Sequence, residues 1–258
     1  MTLWRPDLSP LVWRVFQRNL LVYRKTWKVS LSFNFFEPLL YLGALGFGLG
    51  AYVQQMEGVP YLYYLAPGLL ASSAMFATTY ECTYGSFVRM AYQKTYHAML
   101  ATPASIEDVV AGELIYGAFK SVLYGTVILL VVAALGLVAS PWALLVPPVL
   151  AVSGLLFGAL SMIWTGLVPN MDSFNYFFSL IITPLFLFSG VFFPLAGMPA
   201  FVQQAAWISP LYHVVNLTRD LVMGNPGVHL IGDLVWLLVA VIVVLPAPVF
   251  LVRRLVIK

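Results

Sequence analysis

Apolar positions fill most of the chain in long blocks, and the few polar stretches between them divide it into pieces of membrane-crossing length. The blocks fall at about Phe33 to Tyr52, Leu62 to Tyr80, Val109 to Leu137, Trp142 to Leu167, a fifth opening near Ser173, and Val228 to Val252. A helical crossing needs about 20 mostly apolar residues, and only helices or closed barrels satisfy their backbone inside a bilayer. The pattern predicts an all-α, polytopic membrane protein with six transmembrane helices. Glu37-Pro38 enters the first crossing, Pro184 lies in the fifth, and Pro147-Pro148 is expected to kink the fourth near its outer end. Tyr52, Tyr61, Tyr63 and Tyr64 stand where an interfacial aromatic belt is expected.

Three stretches break this rhythm. Before the first crossing, Ser9-Pro10 is a favourable helix opening, and the helix it starts should run to about Lys28. Arg14, Gln17, Arg18, Arg24, Lys25 and Lys28 share one side of its wheel, and Trp13, Val15, Phe16, Leu20, Tyr23 and Trp27 spread over the other. Leu21 and Asn19 are exceptions. Residues 1–32 therefore read as an amphipathic interfacial segment, with 33–258 as the transmembrane domain. The second stretch is Phe87 to Pro103, where Arg89, Gln93, Lys94 and His97 fall on one helical arc and Val88, Tyr92, Thr95 and Met99 on the opposite one. Thr102-Pro103 should end it, and Glu107, Asp108 and Glu113 favour the start of the next helix. Periodicity alone equally allows an ordinary surface helix.

The third stretch follows the fifth crossing. Gly197, Pro199 and Pro210 cut an almost uncharged segment into pieces of 10 to 14 residues, the length of interfacial or re-entrant helices. Leu195 to Met223 would then close the outer end of the bundle, with Phe201 and Trp207 as gate residues. Gly46 and Gly50 form a G-x-x-x-G, a spacing that lets helices approach closely, although glycine is common in membrane helices generally. Glu113 and Lys120, seven positions apart, suggest a packing salt bridge or a snorkelling lysine near an aqueous end.

Composition agrees with a bilayer: 61% of the 258 residues are hydrophobic and 9% charged, against about a quarter charged in soluble domains. The thirteen Lys and Arg set orientation. Six lie before the first crossing, two in Phe87 to Pro103 and three at the carboxyl end, while only Arg219 falls on the opposite side and Lys120 within a span. The positive-inside rule places both termini and the Phe87 to Pro103 segment in the cytoplasm. The first 32 residues do not resemble a cleaved signal and are expected in the mature protein. The large apolar face beside the basic one argues against a nucleic-acid role.

Chemistry is sparse. No Gly-Lys pair occurs, so a phosphate-cradling P-loop is excluded. Cys82 is the single cysteine, and His97, His213 and His229 are far apart without metal-binding spacing, which makes solvated or capping histidines the expectation. No catalytic residue and no metal site are predicted.

Three stretches carry a family resemblance: YLAPGLLASSAMFATTYECTYGSFVRM, QKTYHAMLATPASIEDVVAGELIYGAFKS and IITPLFLFSGVFFPLAGMPAFVQQAAWISPLYHVVNLTR. With them the chain from about residue 33 resembles the permease subunit of a type-2 ABC exporter, and within that family the nodulation-type lipo-oligosaccharide exporters. The resemblance implies that Arg89 to Ala101 is a cytoplasmic coupling helix docking on a separate ATP-binding subunit, with Arg89, Gln93, Lys94, His97 and the corner at Pro103 in that role. Family members often carry an acidic residue where His97 stands. It further implies a homodimer, external re-entrant helices over Leu195–Met223, ATP and magnesium on the partner, and a bacterial cytoplasmic (inner) membrane location. The substrate would be an amphiphile such as a lipo-oligosaccharide or lipid-linked glycan. Phe174, Tyr176, Phe177 and Phe178 could line its path beside the membrane lipids, or could equally pack or face lipid. The rivals are an ion-coupled secondary transporter, a membrane-embedded lipid-modifying enzyme and a partnerless scaffold. The first would show carboxylates near mid-membrane, and the second a His/Asp/Glu cluster at one interface.

Overall fold

Between Leu11 and Glu37 the sequence holds neither glycine nor proline, and it forms a single long helix, α1 (Leu11–Tyr41). This computed structural model describes residues 8–53, 55–225, 227 and 229–256, with the side chains of residues 29 and 32–34 set aside. Arg5, Val228 and Lys258, used in the sequence reading, lie outside the described residues. The predicted break near Lys28 is absent: the interfacial segment and the first crossing are one helix, because nothing in the backbone stops it. Pro38 lies inside α1, and the glycine-rich Leu42–Gly48 follows as a π-helical turn before a 3₁₀ turn at Leu49–Ala51.

A two-residue hairpin then pairs Gln55–Met56 (β1) with Val59–Pro60 (β2). Glu57 and Gly58 both have positive φ (51° and 80°), as the tight primed turn demands. Pro60 leads into α2 (Tyr61–Tyr80), which continues as a π-helical turn through Glu81–Gly85. After α3 (Thr95–Leu100), Ser105 starts α4 (Ile106–Ala134) with a capping box: its Oγ accepts from the Asp108 amide at 3.1 Å, and Asp108 Oδ2 accepts from the Ser105 amide at 3.0 Å.

Pro147-Pro148 does not kink the fourth crossing. Ser140 and Pro141 open a 3₁₀ turn, and the proline pair falls in the first turn of α5 (Val146–Thr165), where no intrahelical donor is missed. The fifth crossing is built from α6 (Phe174–Phe177), a π turn and α7 (Thr183–Phe188). The punctuated region yields α8 (Ala200–Ile208) and α9 (Pro210–Met223), and the last crossing comprises α10 (His229–Val244) and α11 (Pro246–Val256).

Helix α4 is the hub, packing on α1, α2, α5 and α11. Gly154 of α5 lies so close to α4 that a Cβ there would stand 2.7 Å from the Ala118 Cα. Hydroxyls tie the helices across their seams: Thr78 to the Gly117 carbonyl at 2.7 Å, Ser121 to Leu150 at 2.8 Å and Thr165 to Cys82 at 2.9 Å. Small polar residues serve this way where the lipid offers no competing partner.

Among the described residues, four helical stretches are long and apolar enough to cross a membrane: Ile106–Ala134, Pro141–Thr165, Met171–Phe188 and His229–Val256. Phe35–Ala51 is apolar but shorter. Helix α2 is enclosed by protein along most of its length, so its Ser72, Ser73, Thr78 and Thr79 face neighbouring helices and the helix needs no lipid-grade apolarity.

Candidate functional site

The segment after α2 is organised by buried charge. Arg89 donates from Nη1 to Glu81 Oε1 at 2.7 Å and from Nε to Glu113 Oε2 at 3.1 Å. Glu113 is wholly buried and also accepts from Asn19 Nδ2 at 2.9 Å and Ser86 Oγ at 3.0 Å. Lys120 reaches the other oxygen of Glu81 at 3.5 Å, with its ammonium 4.2 Å from the Tyr23 ring centre. One carboxylate from α4 and one from the end of α2 thus clamp the Arg89 guanidinium, with α1 supplying the amide of Asn19. Glu113 and Lys120 do not pair with each other as the sequence suggested; their charged partners, Arg89 and Glu81, come from the segment that follows α2. Next to this clamp, Ser9 donates from its amide and its hydroxyl to Asp108 at 2.7 and 2.9 Å, tying the start of α1 to the start of α4.

The Phe87 to Pro103 stretch is not a single rigid helix. Val88–Tyr92 is a π-helical turn, Lys94 takes a left-handed conformation (φ 54°), and α3 begins at Thr95. The i→i+5 bonding of a π turn shifts the angular register, so a 100° wheel misassigns faces. Arg89 therefore points inward to its carboxylates, with a side chain 12% exposed, whereas Tyr92, on the arc opposite Arg89 in the α-helical reading, is 66% exposed. Tyr96, Phe87 and Met90 are the residues that anchor the segment inside. Gln93, Lys94 and His97 are exposed, and Pro103 is exposed in the turn before α4. They form an outward patch next to an inward arginine. Asn19, one of two exceptions on the α1 wheel, is the sequence signal that could have marked the clamp, a polar residue on the apolar side whose amide donates to Glu113.

The aromatic residues of the fifth crossing divide. Phe174 and Phe177 are buried, Phe177 stacking on Trp164 at 5.4 Å, and Tyr176 is 65% exposed. Phe178 stacks on Tyr80 at 4.5 Å. It belongs to a ladder of rings along α2: Phe186 to Phe76 at 5.2 Å, Phe76 to Tyr80 at 6.3 Å, Phe178 to Tyr84 at 5.7 Å, and Tyr84 to Phe174 at 4.9 Å. A crevice lined by Glu37, Pro38, Tyr41, Phe76, Tyr80 and Phe186 opens beside its middle. Gly46 faces α2: a Cβ there would lie 2.3 Å from a Leu62 methyl, while at Gly50 the nearest atom, of Tyr61, is at 3.7 Å.

At the far end of α2, α8, α9 and α10 surround a second polar site. His213 is not a solvated histidine: it is 1% exposed, with Nδ1 2.6 Å from Asp233 Oδ1 and Nε2 2.7 Å from the Trp207 carbonyl. The Arg219 guanidinium lies 3.8 Å from the Tyr64 ring centre and donates to the Gly190 carbonyl at 2.8 Å. Burial, and then the charge of Asp233, push the Asp220 carboxyl above its ordinary value. Phe201 and Trp207 are exposed, at 72% and 57%. Tyr64 and Glu81 lie on one helix, so this site and the Arg89 clamp are roughly 25 Å apart at 1.5 Å per residue.

The helical bundle, with its apolar spans and its interhelical hydroxyl bonds, defines a multi-pass membrane protein. Residues 10–223 match the family described as ABC-2 type transporter. The chain belongs to that family. It is 42% identical to "Nodulation protein J" of Rhizobium leguminosarum bv. trifolii over 84% of this chain and 82% of that protein. It is 37% identical to the protein of the same name from Sinorhizobium fredii (strain NBRC 101917 / NGR234), over 85% and 84%. The "Inner membrane transport permease YadH" of Escherichia coli (strain K12) is 23% identical over 84% and 86%.

Proposed function

We propose that the chain is the permease subunit of an ATP-driven exporter, which as a homodimer moves an amphiphile such as a lipo-oligosaccharide or lipid-linked glycan across the bacterial cytoplasmic membrane. ATP and magnesium act on a separate cytoplasmic subunit. The observation that carries this reading is the short exposed helix α3 seated on a buried charge clamp between α1, α2 and α4. An outward patch of Gln93, Lys94 and His97 gives a partner something to push, and the clamp passes the push to three long helices. With both termini and α3 cytoplasmic the number of crossings is even, and six are reached when Phe35–Ala51 and α2 join the four apolar spans. The aromatic ladder beside Glu37 and Tyr41 supplies a face for the substrate, and α8 with Phe201 and Trp207 closes the outer end.

The ion-coupled reading is weakened because Glu81 and Glu113 are tied to Arg89 and Lys120 and are not free to carry an ion. The enzyme reading gains the His213–Asp233 pair, yet both nitrogens of that imidazole are already engaged, and none is free to take a substrate proton. Purifying the tagged chain from membranes of its own cells is expected to bring down an ATP-hydrolysing subunit. Proteoliposomes of the pair should then move a glycolipid only with ATP and magnesium. Movement driven by an ion gradient without nucleotide would overturn the reading.

A further inference from the structure

The cleft over α9 and α10 has a volume of about 610 Å³, within the range of small-molecule sites, roughly 300–1,000 Å³. Its lining mixes two chemistries. Trp207, Tyr212 and Trp236 are flat and largely apolar; Asn216 and Asp220, from consecutive turns of α9, and Asp233, from α10, are polar. Asp233 is 8% exposed, and its Oδ2, like the Nε of Arg219, has no hydrogen-bond partner among the described residues. A buried carboxylate oxygen left open costs free energy, so the site is built to be completed by a donor that the chain lacks. Trp236 stacks on His213, with centroids 4.2 Å apart, and meets Trp207 edge-to-face at 6.5 Å, so that an aromatic corner borders the cleft.

The identity of that group follows by elimination. Carboxylates of Glu57, Asp220 and Asp233 outnumber the single Arg219, whose Nη2 is taken by the Gly190 and Tyr64 carbonyls and whose face lies on the Tyr64 ring, leaving Nε unpartnered among the described residues; an anion is disfavoured. An acyl chain would strand the polar lining. No three metal-ligating side chains converge among the described residues. A pyranose satisfies every part: vicinal hydroxyls donate to Asp233 and Asp220, the Asn216 amide both donates and accepts, and the C–H face of the ring lies on tryptophan.

We propose that this cleft is a glycan-binding site that receives the sugar head of the exported amphiphile at the outer end of the path. The site deepens the exporter reading and rests on it for its biological role, but the binding itself does not require transport. The test is therefore made on the purified full-length chain in nanodiscs without nucleotide or ATPase. Tryptophan fluorescence and saturation-transfer NMR would be recorded with two neutral lipid-free probes, maltotetraose and tetra-N-acetylchitotetraose, and with the polyamine spermidine. At least one glycan is expected to bind saturably, with ring protons receiving the transfer. Asn216→Ala, whose side chain holds no structural hydrogen bond in the described structure, and Trp236→Leu should each weaken it about tenfold or more. No glycan binding at millimolar concentration, equal binding by both variants, or binding of spermidine alone would overturn the proposal. Absence of an ATPase partner would sink the exporter reading and leave this result intact.

Discussion

The two ends of α2 bury ionisable groups in opposite ways. At Glu81 the charges close on themselves: two carboxylates, Arg89, Lys120, Asn19 and Ser86 use one another, and the surrounding rings of Tyr23, Tyr116 and Tyr124 cover Lys120. Near Tyr64 the groups are only half used, with Asp233 Oδ2 and Arg219 Nε open beside a cleft. A closed cluster resists deformation, since moving any member strands a buried charge. An open one tolerates a change of occupant. Under the proposed function, the difference is what an end that transmits a push and an end that receives a ligand would each need.

The largest expected effect breaks the closed end. Glu113→Ala leaves Arg89 buried with half its partners and should cost about 3–5 kcal/mol, seen as loss of folded protein in a detergent unfolding titration. Asp233→Asn, at the open end, should cost distinctly less; equal losses at both ends would erase the contrast. Gly154→Val comes next, at about 1–3 kcal/mol, because the new side chain meets the α4 backbone at Ala118, which cannot yield as a side-chain tip can. The same measurement reads it.

The smallest effect is electrostatic. The folded carboxyl of Asp220 is raised, so its contribution to stability is full below the ordinary carboxylate range and is lost as pH rises through the raised value. Asp220→Asn should therefore slightly raise the melting temperature at pH 7 and leave it unchanged near pH 3. A fall at pH 7 would mean that its charge is used, not merely tolerated.

Orientation can be sharpened without perturbing either end. Cys82 is fully buried, so its shielding from an impermeant thiol reagent says nothing about sidedness. With Cys82→Ala as background, Ala200→Cys should label from outside intact cells and Lys94→Cys only after the membrane is opened. The reverse pattern would turn the comparison upside down.

The four long apolar spans were legible because apolar blocks and their boundaries are local properties, and the pieces α8 and α9 were legible from Pro199 and Pro210. The clamp was not. Arg89 read as an outward residue because the wheel assumed α-helical spacing, and nothing in Val88 to Tyr92 announces a π turn. Glu113 and Lys120 looked like partners because seven positions share a helix face, whereas Glu81 reaches Lys120 only through tertiary packing. His213 and Asp233 are twenty residues apart on different helices, a separation that carries no periodic signal.

The central claim is that α3 passes a partner's motion to the clamp through its exposed face. Because Arg89 is internal, its reversal would test folding; the outward residues test docking. Lys94→Glu with His97→Glu should leave abundance and melting unchanged, and should weaken co-purification of the ATP-binding subunit about tenfold or more if the facing surface is acidic. Substrate-stimulated hydrolysis in the same membranes should fall with it. Undiminished association and stimulation in that double variant, and also in one with Gln93, Lys94 and His97 all replaced by serine, would contradict the account.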